Sequence, residues 1–213
     1  MRQFLMLAIV AITVCSCGPT IYKSDQFSAE APKHKSVAIL PTDVTISLRP
    51  NEMKKSTPEQ VAKNEESTGY AMQDRMYGWF LKRQTKYHYS VSFQDVTETN
   101  AQLKKAGIAY ADLRTKSRKE LAQLLGVDAV ISSNLRMDKP MSDGAAMAVG
   151  LAFGSWGSTN KANTTINIHE GSTGNLMWKY QYDAEGSVGS SPDNLVDALM
   201  RNASKNFPYN NSK

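Results

Sequence analysis

The sequence is poor in the residues that carry thiol and metal chemistry. It has two cysteines and three histidines in 213 residues. Both cysteines, Cys15 and Cys17, lie close to the N-terminus, so the rest of the chain has no thiol for a disulfide, a zinc site or a nucleophile. His34, His88 and His169 are far apart, and no His-x-His or His-x-x-x-His spacing indicates a metal site. We therefore expect no metal and no cofactor.

Catalytic motifs are also missing. There is no Gly-x-Ser-x-Gly, no P-loop, no Gly-x-Gly-x-x-Gly and no calcium loop. Residues 158–161 (STNK) match Ser-x-x-Lys, but the partner motifs Ser-Asp-Asn and Lys-Thr-Gly do not occur. Asp128 stands at the start of an apolar strand, where we expect it to pair with a backbone amide. The sequence therefore predicts a protein that is not an enzyme.

Positive charge is spread thinly. The chain has 25 basic and 20 acidic residues, a formal net charge of +5, and the basic residues are scattered along expected helices. A nucleic-acid interface would need a concentrated basic stripe with interleaved aromatic residues. We expect no nucleic-acid partner.

Residues 1–16 have the form of a signal peptide. Arg2 supplies the positive charge, and residues 4–14 (FLMLAIVAITV) form an apolar run too short to span a bilayer. The junction Val14-Cys15-Ser16-Cys17 resembles the lipobox of bacterial lipoproteins. That resemblance implies that Cys17 becomes the first mature residue and carries a diacylglycerol and an amide-linked acyl chain such as palmitate. More than one acyl chain anchors a protein stably to a membrane.

The polar stretch after the lipobox predicts a flexible, lipidated tether over residues 17–35. Eighteen flexible residues would span ~24 Å. We expect one domain over residues 36–208 and a polar tail over residues 209–213.

The domain pattern begins with a strand and a long helix. Residues 36–40 (SVAIL) form a β-branched strand, and residues 43–48 (DVTISL) extend it past a bend. Thr57, Pro58 and Gln60 indicate a helix start, and the helical pattern continues to about Arg83. Gly69 and Gly78 weaken this pattern, and a break near residues 67–69 is compatible with it.

An apolar face on this helix has two interpretations. Met72, Met76, Trp79 and Phe80 fall at helical spacing. We interpret the face as core, with a plastic, Met-rich partner surface as the alternative.

Alternating strands and short helices follow. Residues 87–93 (YHYSVSF) alternate as a strand does, and residues 97–106 form a short helix that ends at Gly107. Ser117 and Glu120 form a capping box, and Gly126 closes that helix. Residues 127–131 (VDAVI) are apolar on both faces, which predicts the central strand of the sheet.

A hairpin and a helix complete the pattern. Residues 163–170 and 176–182 predict two strands joined by a turn. Pro192 begins a last helix that Pro208 stops, with an apolar stripe at Leu195, Leu199, Ala203 and Phe207. The sequence thus predicts an α/β (α+β) fold, a mixed sheet with helices packed against it, closed by the hairpin and the last helix.

Three motifs in this order resemble a group of envelope lipoproteins: residues 35–41 (KSVAILP), 125–131 (LGVDAVI) and 174–178 (GNLMW). The group includes the curli-secretion channel lipoprotein, the activator lipoproteins of penicillin-binding proteins and a neisserial surface-antigen lipoprotein family. The resemblance implies a fold similar to the N-terminal domain of the periplasmic Tol-system protein. It also implies a non-catalytic binding or assembly module that forms homo-oligomers, anchored in the outer membrane and facing the periplasm.

Residues 144–157 (GAAMAVGLAFGSWG) depart from the group's pattern. The segment is uncharged and rich in glycine and alanine. It fits a buried helix or loop, an oligomer contact or a membrane-inserting element. Gly150 and Gly154 would permit close helix approach, and Phe153 and Trp156 would supply apolar contact.

We therefore expect a lipid-anchored module that binds other cell-envelope proteins. The alternative is a subunit of an oligomeric outer-membrane secretion or transport complex.

Overall fold

The computed structural model describes residues 19–48, 50–54, 56–138, 161–185 and 192–211. Within them, seven strands form one mixed sheet: β1 (Thr20–Lys23), β2 (Ser36–Ile39), β3 (Asp43–Ser47), β4 (Ser92–Phe93), β5 (Ala129–Asp138), β6 (Lys161–Glu170) and β7 (Leu176–Glu185). The α-helices are α1 (Phe27–Glu30), α2 (Pro50–Met53), α3 (Pro58–Tyr87), α4 (Val96–Lys105), α5 (Arg118–Leu125) and α6 (Pro192–Ala203). Two 3₁₀ helices span Ala31–Lys33 and Tyr110–Arg114. The predicted mixed sheet with packed helices is confirmed.

Strand β5 is the central strand, as predicted, although it begins at Ala129 rather than Val127 and continues to Asp138. The sheet order is β1-β7-β6-β5-β2-β4, and β3 also pairs with β5. β2 and β3 follow one another along the same edge of β5, both parallel to it, with Ile39 opposite Ile131 and Asp43 opposite Asn134. The predicted extension of the first strand past a bend is therefore confirmed.

One side of the sheet carries a large cluster rich in aromatic residues, which we call the aromatic side. Val37 and Ile39 of β2 face it, together with Met72, Met76 and Phe80 of α3. The interpretation of the α3 apolar face as core is thus confirmed for these three residues. Trp79 lies at the margin, where its indole N–H donates to Asp197 Oδ1 at 2.8 Å. The C-terminal stretch contributes Phe207, whose ring centroid lies within 6.1 Å of the centroids of five other aromatic rings.

The other side of the sheet carries a smaller cluster, which we call the aliphatic side. Ala38 of β2, Leu40 directly after it and Val130 of β5 face it, because neighbouring residues of a strand point to opposite faces. Among the described residues, the helical part comes from a single stretch of chain: Leu103, Leu113, Leu121, Ala122 and Leu125. A strand covered on both sides reads as a continuous apolar run, which is why residues 127–131 predicted it.

Local capping signals fix the helices as the sequence indicated. The Thr57–Gln60 capping box starts α3, and Ser117 Oγ accepts from the Glu120 N–H at 3.1 Å at the start of α5. Gly126 ends α5 with φ of 64°, a conformation that favours glycine. The start predicted for α4 is wrong by one residue, because the helix begins at Val96. Asp95 is the cap, and its carboxylate accepts from the Thr97 N–H at 2.7 Å.

Helix α3 is continuous through both of its glycines, so no break occurs at residues 67–69. Gly69 is required there because a Cβ would lie 2.5 Å from the carbonyl oxygen of Thr42 and 2.6 Å from the ring of Tyr110. At Gly78 nothing lies within 4 Å of that position. The two glycines therefore have different roles, one in close packing and one on the open surface.

The strand predicted over residues 87–93 is wrong for most of its length. α3 extends to Tyr87, His88 ends it with φ of 48°, and only Ser92 and Phe93 pair with β2. Tyr89 and Val91 are buried, which produces the alternation. This segment packs against the C-terminal stretch and not against a strand. The Tyr89 hydroxyl donates to the Ser204 carbonyl at 2.9 Å, and the Ser90 N–H donates to the Tyr209 carbonyl at 3.0 Å.

The irregular tether predicted over residues 17–35 is wrong from Thr20 onward. β1 pairs antiparallel with β7, with Thr20 opposite Gln181 and Lys23 opposite Trp178. Phe27 is buried and packs on the ring of Tyr209 at 5.4 Å. The reason is long-range contact: a polar stretch with one phenylalanine gives no periodic signal, yet β7 and the C-terminus supply its partners.

The C-terminal end shows a related difference. The β6–β7 hairpin is confirmed, with longer strands than predicted. α6 ends at Ala203 rather than at Pro208. Tyr209, assigned to the polar tail, is buried at 2% exposure.

Candidate functional site: an N-terminal edge strand and a polar sheet face

Strand β1 begins three residues after the predicted lipidation site, Cys17. Cys17 itself lies outside the described residues, so its lipidation remains a prediction. β1 is the last strand at one edge of the sheet, and all four of its residues are exposed. The domain edge closest in sequence to the predicted anchor is therefore also an edge that no other described strand covers.

A hydrogen-bonded corner fixes the chain between β1 and β2. The Asp128 carboxylate accepts from the backbone N–H groups of Lys35 and Ser36 at 2.8 and 2.9 Å. Burial raises the pKa of the Asp128 carboxyl, but these hydrogen bonds prevail and hold it below its ordinary value. The expectation that Asp128 pairs with a backbone amide is confirmed.

The turn of the β6–β7 hairpin packs against the same corner. Gly171 N–H donates to the Asp128 carbonyl at 2.8 Å. Glu170 accepts from the N–H and hydroxyl groups of Ser172 and Thr173 at 2.6 to 2.9 Å. Burial raises the pKa of the Glu170 carboxyl, but these hydrogen bonds lower it to about 2. Both carboxylates therefore hold backbone in place.

A buried histidine joins the two ends of the described chain. Nδ1 of His34 and the hydroxyl of Tyr209 share a hydrogen bond of 2.5 Å, and the two side chains are 3% and 2% exposed. Burial lowers the pKa of the His34 imidazole, against the opposing charges of Glu170 and Asp128. A substrate could not reach this pair without displacing the segment before β2. We interpret the pair as a structural contact that holds the N-terminal and C-terminal segments together.

Among the described residues, the outer part of the aliphatic side carries polar side chains and no helix. Beyond Val130, every second residue of β5 lies on this surface, and Asn134 and Arg136 are exposed. We call this surface the polar face and define it by Thr45, Asn134, Arg136, Asn163, Thr165, Asn167, Lys179, Gln181 and Asp183. Strand register sets these residues in rows: Asn134 opposes Thr165, which opposes Gln181, and Arg136 opposes Asn163, which opposes Asp183.

Side chains in the polar face bond to one another across strands. Asn134 donates to Asp43 Oδ2 at 3.3 Å, and Asn163 donates to Asp183. Asp43 also pairs with Arg114 at 2.7 Å. Arg136, in contrast, has no ion pair among the described residues. The face therefore presents one exposed, uncompensated guanidinium among amides and hydroxyls.

The alternation in β6 gave a sequence signal for this surface. Thr164, Ile166 and Ile168 were assigned to one strand face, and all three are buried. The opposite set, Asn163, Thr165 and Asn167, was not singled out, although it follows from the same period of two. No comparable signal marked the His34–Tyr209 pair, because its members are 175 residues apart.

The structure places no metal cluster among the residues that it describes. Gly150, Phe153, Gly154 and Trp156, the predicted contact residues, lie outside the described ranges, as do residues 158–160 of the Ser-x-x-Lys match. In the described part, no helix is both long enough and apolar enough to cross a bilayer.

Two concave regions flank α5. A cavity of about 20 Å³, room for about one water, is lined by Leu40, Asp43, Tyr110 and Arg118 among others. An open groove of about 560 Å³ between α4 and α5 is lined by Glu98, Lys105 and Leu124 among others. Neither has converging acid, base and nucleophile side chains, and the first is too small for a metabolite.

No protein-family model and no curated protein matches the sequence. Solved structures are similar to it at low identity. Lipoprotein GNA1162 from Neisseria meningitidis shares 14% identity over 83% of this chain and 97% of its own, with a TM-score of 0.41. A PelC dodecamer from Paraburkholderia phytofirmans shares 10% over 88% and 96%, with a TM-score of 0.42. The LpoB C-terminal domain from Escherichia coli shares 11% over 71% and 83%, with a TM-score of 0.35.

One of these solved structures is a lipoprotein. With TM-scores of 0.35 to 0.42, these likenesses carry no argument about function. We therefore argue the function from this chain's own residues.

Proposed function

We propose that the protein is a lipid-anchored cell-envelope lipoprotein whose domain binds another envelope protein through the polar face and catalyses no reaction. The observation that carries this proposal is the exposed Arg136 within that face, which has no ion pair among the residues that the structure describes. Arginine is the charged residue most enriched at the energetic centres of protein interfaces, because its planar fork binds carboxylates and carbonyls with defined geometry.

The size of the polar face bounds the strength of the interaction. Four strands about 4.8 Å apart and three rows about 6.8 Å apart give a surface of roughly 400 Å². A stable interface buries about 800 Å² on each partner. We therefore expect a transient complex unless the partner also contacts surfaces outside this face.

The lipobox residues support the anchor. Metabolic labelling with palmitate should mark the mature wild-type protein, and Cys17→Ala should abolish the label. Equal labelling of the variant would show that Cys17 is not the acceptor and would remove the basis for the anchor.

The partner surface can be tested by site-specific photo-crosslinking in intact cells. A photoreactive residue at Thr165 should capture a defined protein, and the same residue at Met53, which is 63% exposed and outside the polar face, should not. Arg136→Glu should reduce the captured product strongly. The matched charge reversal Lys105→Glu, at an exposed residue of α4, should leave the amount of captured product unchanged.

Three outcomes would contradict the proposed binding role. Capture of only a second copy of this chain would favour the oligomeric secretion or transport complex. If photoreactive residues at Thr165 and Met53 captured the same product, the polar face would not be the binding surface. Full capture by Arg136→Glu would show that Arg136 is not an anchor residue.

A further inference from the structure

The chain between the predicted anchor and the sheet is very short. Thr20 follows Cys17 by three residues, and Thr20 already pairs with Gln181 of β7. Three fully extended residues span at most about 11 Å. An acylated Cys17 would therefore hold the β1 edge close to the bilayer, whereas a flexible tether of eighteen residues would have allowed ~24 Å.

The β1 edge has the side chains that this position requires. Ile21 and Tyr22 are 44% and 49% exposed, and both belong to the small set of large apolar residues that the described structure leaves exposed. Since neighbouring strand residues point to opposite faces, the two side chains flank the outer edge on either side. Tyrosine is enriched at membrane–water interfaces, where its ring is apolar and its hydroxyl remains hydrated.

We propose that the outer edge of β1 docks on the lipid headgroup layer through Ile21 and Tyr22, with the sheet standing edge-on to the membrane. This rests on the proposed function, because it requires the lipid on Cys17. The strand edge limits the depth, because no described strand pairs with its outward N–H and C=O groups, and unpaired backbone groups cannot enter hydrocarbon without a large penalty. The contact therefore stays at the headgroup level.

Charge contributes little to this contact. Lys23 lies over the ring of Phe27 at 4.8 Å, and Lys33 pairs with Glu30 at 2.8 Å. Asp25 adds an exposed negative charge next to them. The contact should therefore depend weakly on salt, in contrast to binding by a basic cluster.

Edge-on docking also orients the partner surface. Five strand spacings of about 4.8 Å place β4 roughly 24 Å farther from the bilayer than β1. The polar face then points parallel to the membrane plane. A partner anchored in the same membrane could reach Arg136 without the domain having to rotate.

The test uses single cysteines in the acylated protein, since Cys15 is lost with the leader and the Cys17 sulfur is blocked. Thr20→Cys on β1 and Ser92→Cys on β4 each receive a nitroxide label. The protein is reconstituted in phosphatidylethanolamine vesicles that contain a minor fraction of phosphatidylglycerol. Collisions of the nitroxide with oxygen and with a water-soluble nickel chelate are then compared.

We expect the label at position 20 to show several-fold fewer chelate collisions than the label at position 92. Adding Ile21→Ser and Tyr22→Ser to Thr20→Cys should raise chelate access at position 20 part of the way toward that of position 92, because the three-residue link still keeps this edge near the bilayer. Raising the salt concentration should leave the difference unchanged. Both side chains are exposed, so these substitutions should not unfold the domain.

Equal chelate access at positions 20 and 92 in acylated protein would overturn the docking and leave the anchor intact. Spin–spin broadening at position 20 would show that β1 pairs with a second copy and would also overturn it. A mature mass without acyl chains would overturn the docking and the proposed anchor together.

Discussion

The two sides of the sheet are built in different ways. The helical part of the aliphatic side comes from one stretch between Leu103 and Leu125, with local caps at Ser117 and Gly126. The aromatic side collects Phe27 from the N-terminal segment, Phe80 from α3 and Phe207 from the C-terminus. One side is therefore specified by neighbours in sequence and the other by contacts between distant segments.

The largest expected effect comes from opening the aromatic side at its centre. Phe207→Ala should lower the free energy of unfolding by about 3–5 kcal/mol, because it leaves a cavity among five rings. Urea denaturation followed by tryptophan fluorescence measures the loss. Leu124→Ala, at a side chain 39% exposed, is the control and should change stability by less than about 0.5 kcal/mol. A small effect of Phe207→Ala would mean that the C-terminal segment does not belong to the core.

A matching change on the aliphatic side should be somewhat smaller. Leu121 is fully buried, and Leu121→Ala should cost about 2–4 kcal/mol in the same measurement. Because the sheet separates the two clusters, the double variant should equal the sum of the single variants within about 0.5 kcal/mol. A larger interaction energy would show that the two sides are coupled through the sheet.

The hairpin turn gives the domain an acid-sensitive contact. The pKa of Glu170 lies at about 2 in the folded protein, below the ordinary value of 4.5, so its stabilising effect is full above about pH 4.5 and is lost as the pH falls toward 2. Glu170→Gln should lower the free energy of unfolding by about 2 kcal/mol at neutral pH. The variant should also lose less stability than the wild-type protein as the pH falls from about 4.5 to 2. Glu66→Gln, at an exposed residue, should keep the wild-type pH profile. If Glu170→Gln lost as much stability at low pH as the wild-type protein does, the acid sensitivity would belong to other groups.

Alanine substitutions at the two glycines of α3 should have effects of opposite sign. Gly69 lies where α3 meets Thr42 and Tyr110, so Gly69→Ala should overpack and cost about 1–3 kcal/mol. Gly78 has open space around it, and Gly78→Ala should stabilise the helix by up to about 1 kcal/mol. Thermal unfolding of the pair measures both shifts. Equal shifts would contradict the close contact at Gly69.

The comparison of the two sides also explains which predictions succeeded. Residues 127–131, the Ser117 and Thr57 caps and the Gly126 stop are short-range signals, and the structure confirms each of them. The predictions for residues 20–34 and 87–91 were wrong because their conformation depends on β7 and on Tyr209, far away in sequence. Alternation could have revealed the polar face, whereas nothing local could have paired His34 with Tyr209.

The central claim is that the segment after the lipobox belongs to the folded domain. Amide hydrogen exchange tests it most directly, at the Ser24 N–H that donates to the Met177 carbonyl at 2.9 Å. We predict exchange about a hundredfold slower than in an unstructured peptide, equivalent to an opening free energy of about 3 kcal/mol. Exchange at the rate of a free peptide would show a flexible tether and contradict the account.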